Sequence, residues 1–512
     1  PRPVPEPDAT TASRPEVAPD DPDGRSSGAA PDRRVADVDP EDPVVPSFEE
    51  VAAVAEEEIV LESDLYRVVL TNVGARVQSW KLKGYHDPEG NDLELIPCVR
   101  EDDAPMPLRI DLADTALADE INRTAIFRVE RSPVAASGDR GAGETITFRW
   151  ADGRGVEVVK SLTLRDDYLL DLDVSVQDRG RPQPVRIAWG PGFQARGSGA
   201  GGRVTSYYNY AGQAVWIRDG EVERTRAGKL DHQEFQGNIT WAGLEDQYFA
   251  ALFLPPDGPT TVRTWSREVT PCAEADGGET GAEQDAEAAV QALVAVEVPA
   301  GGLQLFVGPK QYTMLVDEGR DLDRVVWFSS YPLLAWIARG LFLALVWIHG
   351  HVVPNWGVAI LLSTFALRIV LFPINQYSMV RMKRAQVEMS RVQPKMNGIK
   401  KKYAKKKDAE SRAKMNQEMM ELYRREGISP MGGVVGCLPM LAQFPILIGF
   451  YNMLTVAIEL RGAPFVGWIQ DLSQRDPYWV LPILMGVTMF YQQRLAQSKV
   501  TDPVQKQQQK IM

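Results

Sequence analysis

The chain has 512 residues, which leaves room for more than one domain. Its net charge of −13 and mildly polar mean hydropathy read at first as an acidic soluble protein. Its three cysteines, Cys98, Cys272 and Cys437, are far apart in sequence, which argues against a disulfide framework or a zinc site.

The averages conceal strong segmentation. Residues 1–330 hold no apolar run of membrane length, whereas 331–495 hold several. The chain begins at Pro1 without an initiator methionine, as a processed chain or a fragment does. Residues 1–46 are rich in Pro, Asp, Ala, Arg and Ser. They cannot bury enough apolar surface to offset their ordering entropy, so a disordered linker is expected, tethered upstream by an anchor or a cleaved signal.

From about Phe48 to Gly308 the pattern is mostly β. Strand-like segments recur at 59–61, 65–71, 75–83, 145–150, 156–164, 169–176, 185–189, 290–298 and 303–307. Several alternate apolar and polar residues, the period of a half-buried antiparallel strand. The lack of intervening helical patterns argues for a large all-β sandwich. Residues 133–144 and 273–288 read as surface loops. Gly197, Gly199 and Gly202 match a dinucleotide-binding spacing, but a strand-like stretch follows where a helix is required, so a plain loop is expected. The chain contains no phosphate-binding loop, and no nucleophile–base set for an enzyme stands out.

Beyond Pro332 the character changes. Residues 333–349 are apolar, with Arg339 the only fully charged residue and with His349 at the end, near His351. Seventeen residues is marginal for a span, so this segment either crosses a membrane or lies on it. The two histidines lack further nearby ligands for a metal. Residues 354–375 are long enough to cross and carry one charge, Arg368. An arginine at mid-bilayer costs roughly 2.5–3.5 kcal/mol even on the lenient insertion scale, so it should face a partner or a watery cavity. No Asp or Glu lies in the expected spans to pair with it.

Between 380 and 426 there are 15 Lys/Arg against 6 Asp/Glu, a net +9 that leaves −22 for the rest. A basic island between apolar segments marks a cytoplasmic loop. It reads as two helices: one over about 376–405, interrupted at Pro394, and one from an N-cap at Asp408 to a stop at Gly427 and Pro430. Met415, Met419 and Leu422 form a stripe on the second, suited to helix packing or to varied partners. Apolar segments at 431–458 and 477–493 flank a neutral connector, and a mildly basic tail follows. By charge, the β domain and the connector lie outside, and 380–426 and the tail inside.

Several stretches resemble the YidC/Oxa membrane insertase family. They are Leu305 to Lys310, Asn355 through Arg368 to Pro373, Gln417 to Tyr423, Pro439 to Pro445, Glu459 to Phe465, Trp468 to Ser473, and Asp476 through Leu481 to Phe490. The resemblance covers 302–512, and the β region resembles the periplasmic supersandwich of Gram-negative members. It implies a multidomain membrane protein: an extracytoplasmic all-β supersandwich, then an α-helical transmembrane insertase bundle with a cytoplasmic helical hairpin. The implied parts are a linker (1–46), the periplasmic domain (47–325), an interfacial amphipathic helix (326–352), a span bearing Arg368 (353–376), the hairpin (377–428), a span (429–458), a short periplasmic loop (459–476), a span (477–494) and a cytoplasmic loop (495–512).

The resemblance further implies that Arg368 and Thr364, one turn apart on one helix face, line a hydrophilic groove with Gln443 at or near it. It implies insertion and folding of integral membrane proteins in the inner membrane without nucleotide hydrolysis, cofactor or metal. The implied partners are nascent membrane proteins, the bilayer, a Sec translocon, and a ribosome or signal-recognition-particle receptor, with no nucleic-acid sequence recognition. Gram-negative members have a span before the linker and a final span with a basic tail. Neither lies within 1–512, so a shortened chain lacking one groove wall is expected. A small-anion transporter or channel and a membrane-tethered periplasmic binding protein are the alternative readings; three visible spans are few for a closed pore and no inverted repeat is evident, and the binding-protein reading leaves Arg368 and the basic hairpin unexplained.

Overall fold

The computed structural model describes residues 49–87, 90–99, 106–136, 141–193, 212–270, 272, 289–403, 408–427 and 432–497. The linker 1–46, the triple-glycine loop and the strand expected after it, the loop at 273–288 and the stretch beyond 497 lie outside the described residues.

Alternation sets the first half. Strands β1 (Glu58–Glu62), β2 (Tyr66–Thr71), β3 (Arg76–His86) and β4 (Asp92–Glu94) pair in chain order as an antiparallel sheet. After the short β5 (Arg109–Asp111), the helix α1 (Thr115–Arg123) is capped by Asp114, which accepts from the amides of Ala116 and Leu117. A large second sheet then takes β6 (Arg128–Val134), β7 (Gly143–Ala151), β8 (Val156–Arg165), β9 (Leu169–Asp178), β10 (Arg181–Gln183) and β11 (Arg186–Trp189). It is completed by β12 (Gln213–Arg218), β13 (Glu221–Arg226), β14 (Gln233–Glu245), β15 (Phe249–Leu254), β16 (Pro259–Val269), β17 (Ala289–Glu297) and β18 (Leu303–Pro309). In β8, every second residue is buried. The long β14 joins two halves of this sheet: Gln233–Asn238 pairs with β16, and Ala242–Glu245 pairs with β15. One continuous core, including Tyr66, Trp80, Phe148 and Trp189, fills the space between the sheets.

The strands at 92–94, 109–111, 128–134, 181–183 and from 213 to 269, and the helix α1, were not among the expected elements. β15 shows why. Its residues Phe249–Leu254 are buried on both faces, so no alternation survives. Phe249, Ala251 and Phe253 join the inter-sheet core, while Ala250, Leu252 and Leu254 meet the helical region. A second correction concerns the cysteines: Cys98 and Cys272, 174 residues apart, form a disulfide, a bond suited to an oxidising extracytoplasmic compartment.

The helical region begins with α2 (Tyr312–Glu318) and α3 (Pro332–His351). α4 (Trp356–Tyr403) is one helix that carries Pro373 and Pro394 inside it, so Pro394 does not interrupt the first arm as expected. α5 (Ala409–Arg425) starts at the expected cap, with Asp408 accepting from the Ser411 amide. α6 (Gly432–Val456) and α7 (Val480–Gln497) follow. Among the described residues, two helical stretches are long and apolar enough to cross a membrane, Pro332–His351 and Trp356–Arg381.

α3 divides its apolar residues between two sides. Ala338, Phe342 and Leu345 are buried with Met453 and Val456 of α6 and with Phe306 of β18. Leu333, Trp336, Leu343 and Trp347 form an exposed stripe on the other side. A Cβ on Gly449 of α6 would come within 2.8 Å of Ile337, so glycine permits this close approach. Arg339 turns away from the exposed stripe to Asp323, 3.4 Å away, and over the Tyr312 ring.

Candidate functional site

The side of α4 that faces its neighbours carries the buried Ala359 and Ser363 and the half-buried Ile360, Thr364, Leu367, Leu371, Asn375 and Ser378. These recur at three- and four-residue intervals, one face of a helix. Four of them are polar. The opposite face is apolar and open, with Phe365, Ile369 and Phe372 all exposed. Arg368 stands on the border, one turn after Thr364 and next to Leu367. It is exposed and has no hydrogen bond or ion pair among the described residues. The Thr364 hydroxyl donates to the Leu361 carbonyl, 2.8 Å away.

Gln443 lies on α6 and is exposed. The two helices pack antiparallel, because the start of α4 and the end of α6 sit together. Ala359, Met453 and Val456 share one core, and the Asn355 amide donates to the carbonyls of Pro464 and Phe465 at 3.2 Å. Arg368 is twelve positions from Trp356, and Gln443 is thirteen from Val456. At about 1.5 Å per residue both are about 18–20 Å from that end. The structure therefore sets Thr364 and Arg368 on one helix a turn apart, and Gln443 at a matching depth on its neighbour. No hydrogen bond among the described residues links Gln443 to the other two.

Beyond this level, the hairpin is held by Lys402 and Tyr403, both donating to Glu418 at 2.6 and 2.8 Å, and by Lys395 paired with Glu426. Met415, Met419 and Leu422 are half-buried, while Met420 is exposed. His349 stacks on Trp356 and His351 on Trp347.

A second polar cluster, absent from the sequence reading, locks the helices to the β domain. Glu245 is fully buried and accepts from Lys310 at 3.0 Å, Arg224 at 2.8 Å and Gln213 at 2.9 Å. Burial pushes its carboxyl up, but Lys310 and Arg224 outweigh that and hold it below the ordinary carboxylate range. Next in the chain, the Gln247 amide donates to the Thr455 carbonyl at 2.7 Å, and Arg461 lies over Tyr248 and Phe249. Ile458 is buried in the β-domain core. Beside it, burial pushes Glu459 up to about 7 against hydrogen bonds from its own amide and that of Tyr312. One of its oxygens, Oε1, has no hydrogen-bond partner among the described residues. Lys310 and Glu459 both belong to stretches that carried the family resemblance, and that was the available signal for this junction.

Two family models match the chain: the YidC periplasmic domain over residues 58–344, and the 60Kd inner membrane protein over 347–512. The membrane protein insertase YidC of Alkalilimnicola ehrlichii is 33% identical over 443 residues, covering 81% of this chain and 72% of that protein. Its counterpart in Syntrophus aciditrophicus is 28% identical over 445 residues, covering 86% and 76%. A solved structure of an active YidC insertase covers 91% of this chain and 87% of its own, at 15% identity and a TM-score of 0.32.

Proposed function

The chain belongs to the YidC family of membrane protein insertases, and from that premise we propose that Arg368, Thr364 and Gln443 line a hydrophilic groove that receives the translocated part of a nascent membrane protein. The family is one of inner-membrane insertases and chaperones with a periplasmic domain, not of enzymes, and its substrates are nascent membrane proteins.

The physical task is to carry a polar segment across about 30 Å of hydrocarbon, where each unsatisfied backbone group costs several kcal/mol. A wet groove shortens the dry path. The fixed charge of Arg368 attracts acidic side chains in the substrate's outer segment, more strongly than in bulk water because the local dielectric is lower. The substrate's apolar helix then leaves sideways into lipid, with about 25 cal/mol gained per Å2 of apolar surface removed from water. In this reading no nucleotide is consumed, the hairpin of α4 and α5 receives substrates on the cytoplasmic side, and 429–458 and 477–494 cross the bilayer beside 353–376. A Sec translocon and a ribosome or its targeting receptor are the proposed partners.

The observation that carries the proposal is Arg368, without a hydrogen bond or ion pair among the described residues, on the border between the polar and the apolar faces of α4. It is tested by inserting substrates with acidic translocated tails in vesicles reconstituted with the whole protein. Arg368→Lys should retain most insertion and Arg368→Ala should lose it, with neutral-tailed substrates much less affected. Equal insertion of acidic-tailed substrates by wild type and Arg368→Ala would overturn the proposal.

A further inference from the structure

We infer that a basic cleft at the junction of the β domain and α3 binds the phosphate of an anionic phospholipid in the outer leaflet. The cleft has a volume of about 690 Å3 and is lined by Arg224, Arg226, Lys229, Trp327, Ser329 and Ser330, among others. Its floor is rigid. Arg224 donates to the buried Glu245 and to the carbonyls of Arg324 and Val325, at 2.8 and 3.2 Å, and its guanidinium lies over Trp327. Arg224 thus anchors the wall, and its charge is already committed.

The free charge comes from its neighbours. Arg226 is two residues along β13, so it projects from the same face as Arg224. Lys229 follows in the adjoining turn. Both are exposed, and neither has an ion pair among the described residues. Among the described residues, no acidic side chain lines the cleft. Glu223, on the same strand, is engaged by Arg218 at 2.6 Å. Two unpaired cations beside two serine hydroxyls match an anionic phosphate.

The position of the cleft selects a lipid over a free anion. Its lining ends at Ser330, and the next residues start the exposed stripe of α3: Tyr331 is 69% exposed and Trp336 75%. Aromatic side chains of this kind sit at the level of lipid headgroups. A second cavity of about 170 Å3 shares Trp327, Ser329 and Ser330 and continues to Tyr451 and Thr455 on α6. A headgroup in the first cavity would thus have a path for its glycerol backbone toward the apolar surface. The inference rests on α3 meeting the outer face of the bilayer and is independent of the Arg368 groove.

The test uses the whole chain in phosphatidylcholine vesicles doped with a phosphatidylglycerol carrying a photoactivatable group beside its glycerol. A parallel set uses phosphatidylcholine with the same group. The phosphatidylglycerol probe should label peptides containing residues 222–230 and 327–331 several-fold more than the phosphatidylcholine probe. Arg226→Gln combined with Lys229→Gln should lower that labelling at least about fivefold, because both basic residues attract the anionic headgroup. Labelling along Trp336 and Leu343 should be unchanged and serves as the control for folding and membrane placement. Equal labelling by the two probes, no effect of the double variant, or displacement by millimolar inorganic phosphate would each overturn the assignment. Loss of labelling along α3 in the wild type would instead refute the membrane placement on which it rests.

Discussion

Replacing Glu459 by Gln should make the junction between the β domain and the outer end of α6 more stable at alkaline pH and leave it unchanged in acid. The carboxyl is mostly buried, its Oε1 lacks a hydrogen-bond partner among the described residues, and its folded-state value is raised from 4.5 to about 7. Below about pH 4.5 the group is protonated in both the docked and the released state, and its contribution is fully present. Between 4.5 and 7 the released state ionises while the docked state holds its proton, so stability falls by about 1.4 kcal/mol per pH unit. Above 7 both are ionised and the loss levels off at about 3 kcal/mol. Glu459→Gln removes this dependence. The assay is hydrogen exchange at the amides of Tyr312 and of residues 458–461, corrected for intrinsic rates at each pH. It reads the free energy of local opening. The variant should open about 100-fold less often than wild type at pH 8 and equally often at pH 4. A wild-type/variant ratio that stays constant from pH 4 to pH 8 would refute the reasoning.

Lys310→Met should destabilise the same junction by about 3 kcal/mol, because among the described residues Glu245 then keeps only the half-buried Arg224 as a counter-charge; adding Glu245→Gln should restore much of the loss, and additive losses in denaturant melts would contradict the pairing. Reducing Cys98–Cys272 should lower the stability of the β domain by up to about 5 kcal/mol in the chain-entropy limit for a 174-residue loop, seen as a lower melting temperature in reductant that a Cys98→Ser variant reproduces. With Cys437 replaced by Ser, a cysteine at Val466 should react with an impermeant reagent in intact cells and one at Lys401 only after lysis; the opposite pattern would reverse the proposed orientation.

The elements most legible in the sequence were those whose environment is asymmetric. β8 and β9 have one wet and one dry face, so alternation marks them. The α5 cap at Asp408 is local chemistry and stands where it was expected. β15 was missed because both of its faces are covered, and a continuous apolar run does not distinguish a doubly buried strand from other buried segments. Pro394 was read as a break, yet the described α4 continues through it. Arg368 could be singled out without a structure, because the cost of its charge depends only on the apolar neighbours around it in sequence.

Composition and periodicity by themselves determined the division into a β-rich half and an apolar helical half, the basic stretch between helices and the Arg368–Thr364 pair one turn apart, while the family was legible only through the resemblance of particular motif stretches. Only the tertiary structure decided which distant groups meet. It paired Cys98 with Cys272, buried Glu245 between Arg224 and Lys310, tied Gln247 to Thr455 across 208 positions, and set Gln443 at the depth of Arg368. The physical reason is that periodicity and capping are written in neighbouring residues. A buried ion pair or a cross-domain hydrogen bond forms only after the chain has closed loops whose residues carry no local sign of their partners.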